Sequence, residues 1–217
     1  MKLATYTDLI KALPVRSQAF RSKRETWEKM LKPDEIEEIF GGKTEVFISR
    51  HDIFAEAAKT NPDLKKIVYL TILWGYPTGR NIRVHFSSIV DQMLKLTQIL
   101  GQVRECDISD WNDHFSSADN RIPGLGLSTY SKLLYFLDVK VGSYDALILD
   151  RQVVKVFQGK VFDDFSELAH LKYENAPQYY VCYLREMGRV ARLLDVRNEN
   201  VEMFLFTLGS QLKVNER

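Results

Sequence analysis

Apolar residues in this 217-residue chain recur almost everywhere at the three-to-four spacing of helices, and strand-like alternation is confined to the short Lys43–Ile48 run. That periodicity predicts an all-α fold, in which helices bury apolar stripes against one another. Helical patterns cover Tyr6–Leu13, Gln18–Leu31, Pro33–Ile39, Arg50–Lys59, Pro62–Trp74 and Ser87–Leu100. In the middle, Ile108–Ala118 and Leu127–Leu137 flank a Pro-Gly turn, and Asp150 reads as the N-cap of a helix over Arg151–Phe157. The last third reads as two helices. Gln178–Leu194 is apolar on most faces and is expected at the centre, whereas Val201, Phe204, Leu205 and Leu208 give the second a single apolar face. Gly75-Tyr76-Pro77-Thr78-Gly79-Arg80-Asn81 is the clearest long turn. The expectation is one compact helical domain over 1–217, drawn as two lobes with a seam near 75–85 and a cleft between them.

Composition matters here for what it removes. Cys106 and Cys182 are too few for a disulfide framework or a thiolate metal site, and His51, His85, His114 and His170 lack ligand spacing. No metal and no cofactor is expected, and a reducing cytoplasm is the simplest compartment. The N-terminus has no apolar signal region, and no stretch is long and apolar enough to span a bilayer, so no membrane partner is expected. A net charge of +1 is not that of a broadly basic nucleic-acid binder, so any such site must be local. The mixed charges of Arg16–Lys32 read as a solvated helix face in preference to a DNA contact. Oligomeric state is not legible.

The most specific local signal is Ile122-Pro123-Gly124-Leu125-Gly126, joining a short helix to one that begins near Leu127. Two glycines around an apolar residue allow a tight turn and leave amide N–H groups uncovered at a helix N-terminus, where the helix dipole also favours an anion. Pro123, Gly124, Leu125 and Gly126 could therefore grip a phosphate backbone without many lysines. An ordinary helix–helix turn fits the same residues. In the following helix, Tyr130, Leu133, Leu134 and Leu137 form an apolar stripe, and Ser128, Lys132 and Tyr135 share the opposite side, expected to look outward or into a cleft.

The sequel, Ala146-Leu147-Ile148-Leu149-Asp150-Arg151-Gln152-Val153-Val154, completes a pattern. A Pro-Gly-x-Gly hairpin, a helix, and an Asp opening the next helix resemble the helix-hairpin-helix DNA glycosylases, best the 8-oxoguanine branch and its bacterial relatives. The likeness is specific over Ile122–Phe157, weaker over Leu73–Asn81 and Val190–Gly209, and implies a helix-hairpin-helix and catalytic-Asp region at 108–157. The resemblance implies a double-stranded DNA partner, a purine flipped out of the stack, and Asp150 as the carboxylate that stabilises positive charge on the sugar as the base departs. Bifunctional members carry a nucleophilic lysine two residues after the second glycine, where this chain has Ser128. A monofunctional enzyme is the strict implication, and Lys132, one turn further on, is the candidate for a relocated nucleophile. Gln152 stands where relatives often have a phosphate-contacting histidine, so a weaker neutral contact is implied.

Trp74, Tyr76 and Asn81, together with Tyr135, are candidates for the base pocket, since a flipped base needs surfaces to stack on and an amide to read its edge. A core Trp74 beside a capping Gly75 is the other reading. The leading functional expectation is a base-excision enzyme acting on an oxidised or modified guanine. The alternatives are a non-catalytic helix-hairpin-helix module that binds nucleic acid or a partner, and glycosidic chemistry on RNA or free nucleosides. The last has a family-level association with bacterial antiviral operons.

Overall fold

The structure, a computed structural model, describes residues 1–80 and 82–212. After a 3-10 turn at Leu3–Tyr6 come α1 (Thr7–Ala12), β1 (Ala19–Lys23), α2 (Arg24–Trp27), α3 (Pro33–Phe40), β2 (Glu45–Ser49), α4 (Arg50–Ala57) and α5 (Leu64–Gly75). Then follow α6 (Arg83–Asp91), α7 (Met93–Cys106), α8 (Trp111–Ser116), α9 (Leu127–Phe136) and the two-residue strands β3 (Lys140–Val141) and β4 (Tyr144–Asp145). The chain ends in α10 (Arg151–Gln158), α11 (Ala176–Leu194) and α12 (Asn198–Thr207). The fold is mostly helical, as the periodicity predicts, with two small two-stranded antiparallel sheets: β1–β2, whose strands are separated in sequence by α2 and α3, and the hairpin β3–β4. No helix among the described residues is long and apolar enough to cross a membrane.

Two expected helices are corrected. Gln18–Leu31 is not one helix: Ala19–Lys23 pairs antiparallel with β2, from Ala19 opposite Ser49 to Lys23 opposite Glu45, and only Arg24–Trp27 is helical. The strand alternates, with Arg21 and Lys23 outward, but its most buried residue is Ser22, whose hydroxyl donates to the Leu73 carbonyl at 3.0 Å. A polar residue on the inner face hides the period of two from an apolar count. The Ser87–Leu100 helix is in fact α6 and α7, which meet at Gln92.

The ends of the helices carry local reasons. Ser49 caps α4 by accepting from the Asp52 N–H at 3.1 Å, and Asp52 accepts in return from the Ser49 N–H at 2.8 Å. Asp63 caps α5 through the Lys66 N–H at 3.0 Å.

α9 lies at the centre of the molecule. All ten of its residues are buried, including Ser128, Lys132 and Tyr135, which the sequence pattern places on an outward-looking face. The reason is that other elements bring polar groups to meet that face. Tyr135 donates to Glu199 Oε2 at 2.6 Å and accepts from Arg50 Nη1 at 3.2 Å, and the same Nη1 lies 2.8 Å from Glu202 Oε2. Arg50 and Glu202 are both shut off from solvent. Burial pushes the Glu202 carboxyl above its usual range although Arg50 pulls it down. A helix side can be polar in sequence and interior in space when its groups are paired.

α11 is the other central helix, burying Tyr180, Tyr183, Leu184, Met187 and Val190, while Leu193 near its end is exposed.

Candidate active site

The hairpin is built on one residue that must be glycine. Gly124 has φ +82°, and a Cβ there would stand 2.8 Å from the His85 carbonyl oxygen on α6. The Leu125 N–H closes the turn onto the Ile122 carbonyl at 3.1 Å. Gly126 is the N-cap of α9, and the N–H groups of Gly126, Leu127 and Ser128 find no acceptor among the described residues. These uncovered donors point from a ten-residue helix whose dipole adds to them.

A cleft of about 930 Å³ opens beside the hairpin, and Tyr76, Ile82, His85, Tyr173 and Gln178 are among the residues that line it. Its wall is aromatic. Trp111 stacks on Phe115 with ring centroids 5.0 Å apart, and His114 lies almost parallel to Tyr130 at 5.9 Å. Trp111 is fixed by its indole N–H, which donates to the Pro177 carbonyl at 2.7 Å. His114 is held in one tautomer. Asn120 Nδ2 has its two hydrogens for the His114 carbonyl at 3.0 Å and for Nδ1 at 3.1 Å, which leaves the ring proton on Nε2, 2.6 Å from the Tyr130 hydroxyl. Burial lowers the His114 pKa and raises that of Tyr130, so it favours the neutral imidazole and the protonated phenol.

Ser128, the second residue of α9, lines this cleft, and Lys132 stands one turn further along the helix, outside the lining. Lys132 Nζ donates to Ser128 Oγ at 2.9 Å and to the Ser128 carbonyl at 3.0 Å, and sits 5.7 Å from the centre of the Tyr76 ring. The lysine stem runs against Gly75, where an added Cβ would be 3.2 Å from both Cδ and Cε. Tyr76 in turn shares a hydrogen bond of 2.9 Å with Thr129 Oγ1.

Asp150 caps α10. Its Oδ1 accepts from the Gln152 N–H at 2.9 Å and the Val153 N–H at 3.1 Å, so the cap leaves Oδ2 unengaged. The half-buried carboxylate is delivered by a rigid extended segment. The Tyr180 hydroxyl donates to the Leu147 carbonyl and the Tyr183 hydroxyl to the Ile148 carbonyl, each at 2.8 Å, and the Leu149 N–H donates to Ser131 Oγ at 3.1 Å. The last bond ties the residue before Asp150 to α9 between Ser128 and Lys132. Asp150 is not itself among the cleft-lining residues; Arg151 is, with its guanidinium 5.2 Å from the Tyr173 ring centre. Among the described residues Lys132 Nζ is engaged by Ser128, and it forms no ion pair with Asp150. No group of three or more His, Cys, Asp or Glu among the described residues could hold a metal ion.

A protein-family model described as "Putative 8-oxoguanine DNA glycosylase OGG-like protein" matches residues 13–206. The chain belongs to this family. Curated proteins and solved structures give no match.

Within the OGG-like chain, the residues singled out in sequence separate into two groups. Pro123, Gly124, Leu125, Gly126, Ser128 and Tyr76 line the cleft, and Lys132 lies behind Ser128 and Tyr76 without lining it. Gln152 is exposed, and its backbone N–H is taken by Asp150. Trp74 and Tyr135 are elsewhere. Trp74 is a core residue, donating to the Gln18 carbonyl at 3.2 Å and meeting Phe20 and Phe136 edge-on, so neither face is open to a base. Tyr135 is occupied by Arg50 and Glu199. Asn81 lies outside the described residues.

The OGG-like cleft also contains residues that sequence reasoning passes over. Trp111, His114, Asn120, Tyr130 and Tyr173 make its wall, and Ser131, Tyr180 and Tyr183 support Asp150. His114 is one of four scattered histidines, and its bond to Tyr130 spans sixteen positions, a pairing with no local spacing signature.

Proposed function

We propose that the chain is a DNA base-excision N-glycosylase that takes a guanine-type base, oxidised or otherwise modified, out of the duplex and releases it without a lasting sugar–protein bond. The observation that carries this reading is the placement of Asp150. Its segment is pinned to α9 through Ser131, one residue from Lys132, and its Oδ2 is not used by the cap. An anion fixed in that way stabilises a developing oxocarbenium ion more than the neutral sugar. The other parts suit the same chemistry. Three uncovered amides at the N-terminus of α9 fit a phosphate, and the aromatic wall around Tyr130 fits the plane of a base outside the stack. Serine in place of the hairpin lysine supports release by water.

The test is base release from duplexes carrying 8-oxoguanine, guanine or a methylated purine. Asp150→Asn is expected to lose about 10²- to 10³-fold in rate with duplex affinity nearly unchanged. Full activity in that variant overturns the assignment.

A second reading is a non-catalytic nucleic-acid or partner-binding module. It is favoured by the capping bonds of Asp150 and by its position outside the cleft lining. Duplex binding without base release from any substrate would establish it. The net charge of +1 keeps RNA and free nucleosides among the substrates to assay.

A further inference from the structure

The Ser128–Lys132 pair has a direction built into it. Lys132 Nζ donates to Ser128 Oγ at 2.9 Å, so the serine accepts there and keeps its own hydroxyl proton for another partner. A second Nζ proton is spent on the Ser128 carbonyl at 3.0 Å, and the amine is buried against Gly75 and the Tyr76 ring. Only Ser128 borders the cleft. A nucleophilic amine would have to abandon both bonds and pass the serine to reach a sugar carbon. A proton needs no such movement.

We propose that Ser128 and Lys132 form a proton relay that protonates the departing base, with Ser128 as the catalytic acid and Lys132 as the positioning residue that resupplies it. This rests on the glycosylase reading above. As the C1′–N bond breaks, its electron pair goes to the base, and Ser128 Oγ gives that base its proton. The Lys132 ammonium gives a proton to Ser128 Oγ in the same step, which restores the hydroxyl and leaves a neutral amine. The water that adds to C1′ then loses a proton, which returns to Lys132 through Ser128, and the net reaction is hydrolysis. Asp150 has the separate task of stabilising the cation.

The division of labour can be read from the leaving group. A guanine-type base departs badly unless protonated, whereas 7-methylguanine is already cationic and departs neutral. Base release is measured for wild type, Ser128→Ala, Ser128→Cys, Lys132→Gln and the Ser128→Ala/Lys132→Gln double variant on duplexes carrying each base, with borohydride present in a parallel set. The relay predicts a loss of about 10²-fold or more on the guanine-type base for Ser128→Ala and Lys132→Gln. It predicts a double variant no worse than either single one, and much smaller losses on 7-methylguanine. Ser128→Cys, which keeps a proton-bearing atom, recovers most of the lost rate. Asp150→Asn, in contrast, loses rate on both bases.

Equal losses on the two bases, with no rescue by cysteine, overturn the relay and leave a structural pair. A borohydride adduct that requires Lys132 also overturns it, because the amine is then the nucleophile. Base release by Ser128→Ala at the wild-type rate overturns the relay while leaving the glycosylase reading intact. No release by the wild type from any substrate overturns both.

Discussion

Gly75 at the end of α5 and Lys132 on α9 meet without room for a methyl group, since a Cβ at residue 75 would lie 3.2 Å from both Cδ and Cε of the lysine. The glycine has ordinary helical geometry, so alanine there is favourable for the helix itself by roughly 0.5–1 kcal/mol. The cost falls on the lysine stem, which must shift by a few tenths of an ångström. Gly75→Ala should therefore keep its stability within about 1 kcal/mol of wild type while lowering the rate of base release, and Gly75→Val should lower it further. Thermal melting and a single-turnover assay on the same preparations separate the two effects.

Asp150 carries two roles that substitution can separate. Asparagine caps a helix about as well as aspartate, whereas alanine in place of a cap costs about 1 kcal/mol. Asp150→Asn is expected to unfold at nearly the wild-type denaturant concentration, and Asp150→Ala at a lower one, with both slow in base release. If loss of rate tracked loss of stability across the two variants, the carboxylate would matter only as a cap.

The two hairpin glycines make different predictions. At Gly124, φ +82° and a His85 carbonyl oxygen 2.8 Å from the would-be Cβ forbid a side chain, so Gly124→Ala should cost more than about 1 kcal/mol in stability. At Gly126 an added Cβ meets only the Tyr173 hydroxyl, 4.0 Å away. Gly126→Ala should fold normally, and any fall in affinity for duplexes of unrelated sequence would then report on the uncovered amides. Fluorescence anisotropy at fixed salt measures it.

His114 gives the cleft a pH response. Burial lowers its pKa in the fold, so between the unfolded value near 6.5 and the lower folded value the unfolded chain binds more protons than the native one. Its contribution to stability is therefore full above about pH 6.5 and is lost as the pH falls through that window. Protonation would also set a second N–H against the Asn120 amide. His114→Phe keeps a ring against Tyr130 and removes the titration. Denaturation midpoints from pH 7.5 down to pH 5 should fall less steeply in that variant, and parallel curves would show that His114 is not responsible.

How much of this was legible in sequence varies with the kind of signal. The helices α3, α5 and α9, the hairpin and the Asp150 cap are written in local spacing, because apolar stripes, capping residues and glycine turns act over a few positions. β1 was hidden because Ser22, not an apolar residue, faces inward. The burial of Ser128, Lys132 and Tyr135 was also out of reach. It depends on Arg50, Glu199 and Glu202 arriving from remote parts of the chain, and no spacing within α9 announces them. The aromatic wall is non-local in the same way: Trp111 is fixed by a carbonyl at Pro177.

Because α9 has no solvent face, the chain cannot adjust its chemistry there without also rebuilding its interior. In a mutational library, changes at the apolar α9 positions Leu127, Leu133, Leu134 and Phe136 should mostly register as lost soluble protein, with little drift in what is accepted. New preferences would have to arise at the exposed rim, at Asn112, Ser116, Arg121 and Gln178, which border the cleft and carry no part of the core. The molecule thereby keeps what must stay constant apart from what is free to diversify.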